Sequence, residues 1–160
     1  MLVSYVSYTG SGRTMLSVSG TAMSVSDMEE FLAREYPQSF GPGRHHRIEA
    51  IAPGAATVRL EASKEHLRPG GTVSGPALMA LADITMYVAL LAELGPITLA
   101  VTTNLNINFL RKPEPGAVIA DAHLIKVGKR LAVGEIGLRT SKSHELVAHC
   151  VATYSIPAHS

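Results

Sequence analysis

Residues 74–94 read SGPALMALADITMYVALLAEL, an almost unbroken apolar run with one carboxylate, Asp83, in its middle and a second, Glu93, near its end. The run is punctuated as a helix. Pro76 stands in the first turn, where its missing N–H costs no hydrogen bond, and Gly95-Pro96 follows, a pair that stops helices. The run approaches the length of a membrane span, but a carboxylate at the centre of a lone span is costly. A helix apolar around most of its circumference is therefore expected to form the buried axis of a globular fold. Asp83 is the anomaly. An unpaired buried carboxylate costs several kcal/mol, so this one needs a partner or a purpose.

On either side of the helix the period of the apolar residues changes from helical to alternating. HRIEAIA and ATVRLEAS, within residues 44–63, are joined by Pro53-Gly54 and read as an antiparallel hairpin. After the helix, ITLAVTTNLNINFL places Val101, Thr103, Leu105, Ile107 and Phe109 on one face and Asn104, Asn106 and Asn108 on the other. The runs AVIADAHLIKV, LAVGEIGLRT and ELVAHCVATYSI are separated by Pro113-Glu-Pro-Gly116, Gly128-Lys129 and Ser141-Lys-Ser143, connections short enough only for antiparallel neighbours. The expected fold is α+β: one long central helix wrapped by a curved antiparallel sheet of about five or six strands. Upstream, Ser26-Asp-Met-Glu29 has the spacing of a capping box. Met28, Phe31, Leu32 and Tyr36 then form a helical stripe before Pro37. Residues 1–22 are rich in Ser, Gly and Thr without a period and read as a loosely held arm.

Composition bounds the function. The 160 residues, 46% hydrophobic and 17% charged, suffice for one domain, expected over residues 23–160. A formal net charge of +1 with scattered Lys and Arg gives no nucleic-acid-binding stripe. Cys150 is the single cysteine, so no internal disulfide can form and a cytoplasmic setting is expected. The first twenty residues contain no apolar stretch of signal-peptide length, and no membrane association is expected. His45-His46 and the His144/His149 pair lack the helical spacing and acidic company of a metal site, so no metal is expected.

A helix wrapped by antiparallel sheet, opened by S-G-P-A-L-M-A-L-A-D and followed by a strand ending N-I-N-F-L-R-K-P, resembles the hotdog-fold acyl-CoA thioesterases of the PaaI (phenylacetate-pathway) type, within the 4-hydroxybenzoyl-CoA thioesterase superfamily. The resemblance covers roughly residues 44–156. That family typically shows H-G-G, six residues, then a catalytic Asp, and tends to have Asn six residues before the His. Here Ser74-Gly75-Pro76 occupies the H-G-G place, Asp83 the acid, and Arg68 the Asn. The resemblance implies hydrolysis of a small or medium acyl-CoA, aromatic or aliphatic. Asp83 would act as base or nucleophile, Gly75 as oxyanion donor, and Ser74 and Arg68 as substrate contacts. No cofactor is implied beyond the coenzyme A of the substrate.

The residues themselves leave two readings of Asp83 open. It either performs chemistry or is bonded to a hydroxyl such as that of Tyr87, one turn on, in a purely structural role. Tyr87 is also a candidate for the acyl pocket. The backbone N–H groups at the helix start, near Gly75, can receive an anion. Gly75 and Asp83 are eight residues apart, roughly 12 Å at about 1.5 Å per residue, while base and oxyanion donor must each lie about 3 Å from the reacting atoms. Two antiparallel helices could supply both, so catalysis requires a homodimer, alone or within a homotetramer. Strand 98–110, free of internal Pro, Lys and Glu, is the expected contact. Arg111-Lys112 and Lys129-Arg130, at opposite ends of the sheet, are candidates for the coenzyme A phosphates and could serve one ligand only across subunits.

Two alternatives accompany this reading. A non-catalytic acyl-CoA binder would keep the fold and the pocket. A hotdog hydratase or dehydratase is suggested by the His66 to Gly75 spacing, but the acid expected five residues after the glycine is Ala80.

Overall fold

The computed structural model describes residues 20–158; residues 1–19, most of the expected arm, lie outside the described residues. Two short helices, α1 (Val25–Glu35) and α2 (Pro37–Phe40), lead into the hairpin β1 (His46–Ala52) and β2 (Ala55–Glu61). The long helix α3 (Gly75–Leu94) follows, then four strands: β3 (Val101–Phe109), β4 (Ala117–Val127), β5 (Leu131–Thr140) and β6 (Leu146–Ser155). All six strands form one antiparallel sheet in the order β1-β2-β4-β5-β6-β3. This is the expected hotdog arrangement, with α3 lying in the concave face.

The apolar character of α3 is explained by its surroundings. Leu78, Leu81, Met86, Val88, Leu90 and Leu91 are fully enclosed among inward residues of the sheet such as Val58, Leu60, Ile136 and Leu138. The helix is long and apolar enough to cross a membrane, yet its apolar faces are used inside the protein. Helix and sheet approach closely at Gly134, where a Cβ would stand 2.5 Å from Met86 Sδ and 2.9 Å from the His123 carbonyl oxygen. Ser74 caps α3, its Oγ accepting the Ala77 N–H at 3.3 Å, and Gly95 ends it with φ +85°. Gly54, at φ +66°, makes the β1–β2 turn in a conformation that favours glycine.

Three local expectations change. The cap of α1 is Ser24, not Ser26: its Oγ accepts the Asp27 N–H at 3.1 Å and donates to Asp27 Oδ2 at 2.6 Å. Pro37 does not merely end that helix but opens α2. The end of the expected arm is tied down at Ala22, whose N–H donates to the Ala92 carbonyl near the end of α3 at 2.9 Å.

The largest departure lies in β3. Leu105, Ile107 and Phe109 pair with Ala152, Cys150 and Ala148, which face the helix. A register irregularity lies between Thr102 and Asn104, so that Thr102 pairs with Tyr154 while Asn104 pairs with the adjacent Thr153. One extra residue, Thr103, thus stands in β3. Cross-strand partners share a face, and a bulge reverses the alternation. Thr102, not Thr103, therefore shares the inner face with Leu105, Ile107 and Phe109, while Val101, opposite Ser155, faces outward.

Candidate active site

Asp83 sits half-buried near the middle of α3, and the structure supplies its partners. Thr102 Oγ1 donates to Asp83 Oδ1 at 2.5 Å, and the Tyr154 hydroxyl donates to the same oxygen at 2.7 Å and lies 3.0 Å from the Asp83 carbonyl oxygen. These donors are cross-strand neighbours on β3 and β6, so the bulge and the sheet register together deliver both to one side of one carboxylate. Neither hydrogen bond engages Oδ2.

Tyr154 is 3% exposed, and burial, with the charge of Asp83 next, pushes its phenol well above the ordinary range. It therefore remains a proton donor at any working pH. Tyr87 does not bond Asp83. Its hydroxyl donates to the Ile97 carbonyl at 2.8 Å, and its ring stacks against Tyr154 with centroids 6.3 Å apart. The expected hydroxyl partner exists, but it comes from the sheet rather than from the next helical turn.

A cleft of about 550 Å³ opens at Asp83, lined by Glu35 at the end of α1 and Tyr36 just beyond it, Ile84 and Tyr87 from α3, and Thr102 and Tyr154 from the sheet. A second cleft of about 510 Å³ lies at the other end of α3 and gathers Arg68, Gly75, Phe109, Arg111 and Lys112. Four of the residues singled out in the sequence thus share one cavity. Gly75 is the first helical residue, and a Cβ there would stand 3.3 Å from the edge of the Phe109 ring. The absence of a side chain lets the Phe109 ring approach the helix start closely, in a region where backbone N–H groups and the helix dipole favour an anion.

Asp83 and Gly75 line different clefts of the same chain. Ser74 has its Oγ committed to the helix cap. Lys129 and Arg130 occupy the β4–β5 turn, beside the start of β3 and remote from Arg111 and Lys112 at its end; the Ile156 N–H donates to the Arg130 carbonyl at 2.8 Å. His66 Nδ1 accepts the Ser63 N–H at 3.0 Å, so that nitrogen is held by a turn. His45 packs edge-on against His66 at 5.1 Å and pairs with Glu65.

The sequence reading missed Thr102, Tyr154, Glu35 and Tyr36. Tyr154 carried a signal: it is the one inward position of β6 with a polar tip, in line with Ala148, Cys150 and Ala152. Glu35 and Tyr36 carried none, because only the docking of α1 brings them to the cleft.

Comparison with known proteins agrees with this architecture. Residues 70–147 match the thioesterase superfamily. The crystal structure of a candidate thioesterase from Silicibacter sp. TM1040 is 43% identical, with a TM-score of 0.77 over 86% of this chain and 94% of that one. The phenylacetic acid degradation protein PaaI from Thermus thermophilus, solved as a mutant, is 28% identical, with a TM-score of 0.63 over 71% of this chain and 94% of that one. The 1,4-dihydroxy-2-naphthoyl-CoA hydrolase of Listeria monocytogenes is 27% identical over 68% of this chain and 86% of its own length. With a hotdog sheet, an enclosed helix and a relative of this identity matched over most of its length, the chain belongs to the thioesterase superfamily and is an enzyme of the thioester hydrolase class.

Proposed function

We propose that the protein hydrolyses acyl-CoA thioesters in two sites, each shared between the subunits of a homodimer. The observation that carries this reading is the hold on Asp83: two hydroxyls bond Oδ1, neither bonds Oδ2, and the residue lines the cleft. Oδ2 accepts a proton from a water molecule as that water attacks the thioester carbonyl. The new C–O bond produces a tetrahedral oxyanion, which accepts a hydrogen bond from the Gly75 N–H of the partner subunit. When the C–S bond breaks, the coenzyme A sulfur takes the proton from Asp83. The alternative course, direct attack by Oδ2, passes through a mixed anhydride that water then cleaves. Single-turnover hydrolysis in ¹⁸O-labelled water identifies direct attack when water cleaves the anhydride at the Asp83 carbon: the label then enters Asp83 and the product acid carries an unlabelled carboxylate oxygen, whereas a water activated by Asp83 puts the label in the product acid.

The edge strand supports the dimer. β3 ends the sheet, and it exposes Val101 and Phe109 by 56% and 51%. Two copies pairing antiparallel about Asn106 would set Leu105 against Ile107 and Asn104 against Asn108, which keeps like faces together. The bulge then shifts Thr102, and with it Asp83, opposite Phe109 of the partner subunit, which packs on Gly75 of the partner subunit. The same pairing brings Lys129 and Arg130 of one chain to the end of the sheet that carries Arg111 and Lys112 of the partner subunit, a basic border suited to the coenzyme A phosphates.

The test is release of free thiol from a panel of CoA thioesters by wild type and by Asp83→Asn. Wild-type turnover with a silent, folded, dimeric Asp83→Asn variant is expected. Tight binding of acyl-CoA without turnover by the wild type would instead identify a binding protein, a reading that the commitment of Ser74 Oγ to the helix cap favours. Asp83→Ala and Gly75→Val, each inactive alone, are then unfolded and refolded together. About half of the dimers are mixed, each with one intact shared site, so roughly a quarter of wild-type activity should return. Mixed dimers without activity would overturn the shared site.

A further inference from the structure

The cleft at Asp83 holds a second carboxylate that the hydrolytic scheme does not use. Glu35, the last residue of α1, lines the same cavity as Asp83, Tyr36 and Tyr87. Its Oε1 accepts the Arg34 Nε at 2.8 Å. The Arg34 guanidinium is not part of the cleft wall; it lies 5.7 Å over the Phe31 ring on the helix surface. Besides these two carboxylates, no Lys, Arg or His among the described residues lines the cavity. The negative charge reaches into the cleft: burial first, and the Glu35 carboxylate second, push the Tyr87 phenol above its ordinary range.

The hydroxyls on the wall add to this bias. Tyr87 spends its proton on the Ile97 carbonyl, and Tyr154 and Thr102 spend theirs on Asp83. What these three side chains can still offer a ligand is lone pairs; the hydroxyls of Tyr36 and Thr98, also on the wall, remain able to donate to a ligand. The C-terminal end of α1, an eleven-residue helix, also ends at the cleft, and a helix C-terminus carries negative partial charge. Against the two hydroxyl donors of Tyr36 and Thr98 stand two carboxylates and a helix C-terminus, with no cationic side chain on the wall, so the net charge of the cavity disfavours an anion.

We infer that Glu35 is the specificity-determining residue of this cleft, admitting acyl groups that are uncharged or end in a hydrogen-bond donor and excluding those that end in a carboxylate. The inference rests on the acyl-CoA reading above for the identity of the ligand. Coenzyme A is itself an anion, but its phosphates belong at the basic border. Only the acyl end meets Glu35.

Three six-carbon substrates test this: hexanoyl-CoA, 6-hydroxyhexanoyl-CoA and adipoyl-CoA, assayed with wild type, Glu35→Gln and Glu35→Lys. The readout is the ratio of kcat/KM values within each protein, which cancels any general effect of a substitution. In the wild type, adipoyl-CoA should be disfavoured against hexanoyl-CoA by about tenfold, as expected for a partly solvated like-charge contact. 6-Hydroxyhexanoyl-CoA should react at least as well as hexanoyl-CoA. Glu35→Gln should bring the adipoyl ratio toward one, and Glu35→Lys should invert it. An adipoyl ratio that is the same in wild type and Glu35→Gln would overturn the inference. So would a wild-type preference for adipoyl-CoA, which would assign control to Arg34.

The same ligands as non-hydrolysable thioethers, measured by calorimetry, separate this inference from the hydrolytic reading. Glu35-dependent discrimination in binding without hydrolysis would uphold the inference and refute hydrolysis. Hydrolysis with ratios insensitive to Glu35 would do the reverse, and failure to bind any of the three would refute both.

Discussion

Replacing Tyr154 by Phe and Thr102 by Val removes the two hydroxyls that hold Asp83 while keeping ring, branching and approximate volume. Each donor lies within ordinary hydrogen-bond distance of the same oxygen, at 2.7 and 2.5 Å. A hydrogen bond to a charged group contributes about 1.5–3 kcal/mol when the group is shielded from water. Asp83 is half-buried, so water can replace part of either bond, and a loss of about 1–2 kcal/mol per substitution follows. In a chain of this size that is a fall in Tm of roughly 2–8 °C, measured by thermal unfolding. The two losses should not add, because both donors serve Oδ1: once one is gone, the remaining one and water rearrange around the same atom. The larger effect is on kcat. With Oδ1 released, the side chain can swing, and a displacement of about 1 Å at a reacting group costs on the order of a hundredfold. The expected pattern is kcat reduced by less than about tenfold in each single variant, where the other hydroxyl still holds Oδ1, and by about a hundredfold in the double, with KM little changed. A folded double variant with wild-type kcat would refute the argument that these hydroxyls aim the carboxylate.

The remaining predictions concern the scaffold. Gly134→Ala should lower stability by about 1–3 kcal/mol, because the new methyl meets both Met86 and a backbone carbonyl; an unchanged urea midpoint would show that the helix can shift away from the sheet. Cys150, fully enclosed, has its thiol pushed up to about 11 by burial and then by Asp83, so the native protein should not react with Ellman's reagent at pH 8 and should expose one thiol per chain when unfolded. Because that folded value is raised, the associated stability is present at neutral pH and is lost as pH rises toward 11. For His46 the direction is opposite. Burial lowers it below 6.5 against the pull of the Ser39 carbonyl, so stability is lost as pH falls below that value. Thermal unfolding between pH 7 and 5 should show this loss in the wild type and less of it in His46→Phe, which keeps the ring beside Phe40.

What the sequence showed most clearly was whatever a strong local signal enforces. Pro76 and Gly95 bracket α3 because the first cannot donate and the second adopts φ +85°. Pro53-Gly54 makes the first hairpin, and the strands over 117–127 and 131–140 fall where alternation and turn residues place them. The cap of α1 was displaced by two residues because Ser24 and Ser26 each have an acid three positions on. Local spacing fits both, and the observed bonds form at Ser24 and Asp27. The distance between Gly75 and Asp83 followed from helical rise alone, and their separation into two clefts agrees with it.

The contacts of Asp83 were not legible, for a reason that lies in β3. Strict alternation through VTTNLNINF sends Thr103 to the side of Leu105, Ile107 and Phe109 and turns Thr102 away. A bulge adds one residue to one strand, and nothing in the alternation marks where it falls, because Thr102 and Thr103 are the same residue type. The displaced Thr103 finds a local partner, its hydroxyl donating to the Thr153 carbonyl at 3.1 Å on the neighbouring strand. Thr102 is thereby carried to the inner face beside Tyr154, and both reach an acid fixed by a different element. The same extra residue governs the proposed dimer, since it lets Thr102 stand opposite Phe109 of the partner subunit while Asn104 and Asn108 stay on the outer face. Deleting Thr103 would test both consequences at once: Thr102 would rotate off Asp83, and the paired strands would keep their faces only by shifting the position of Asp83 relative to Gly75 of the partner subunit. A deletion variant that folds, dimerises and retains full activity would show that the bulge has no part in building the site.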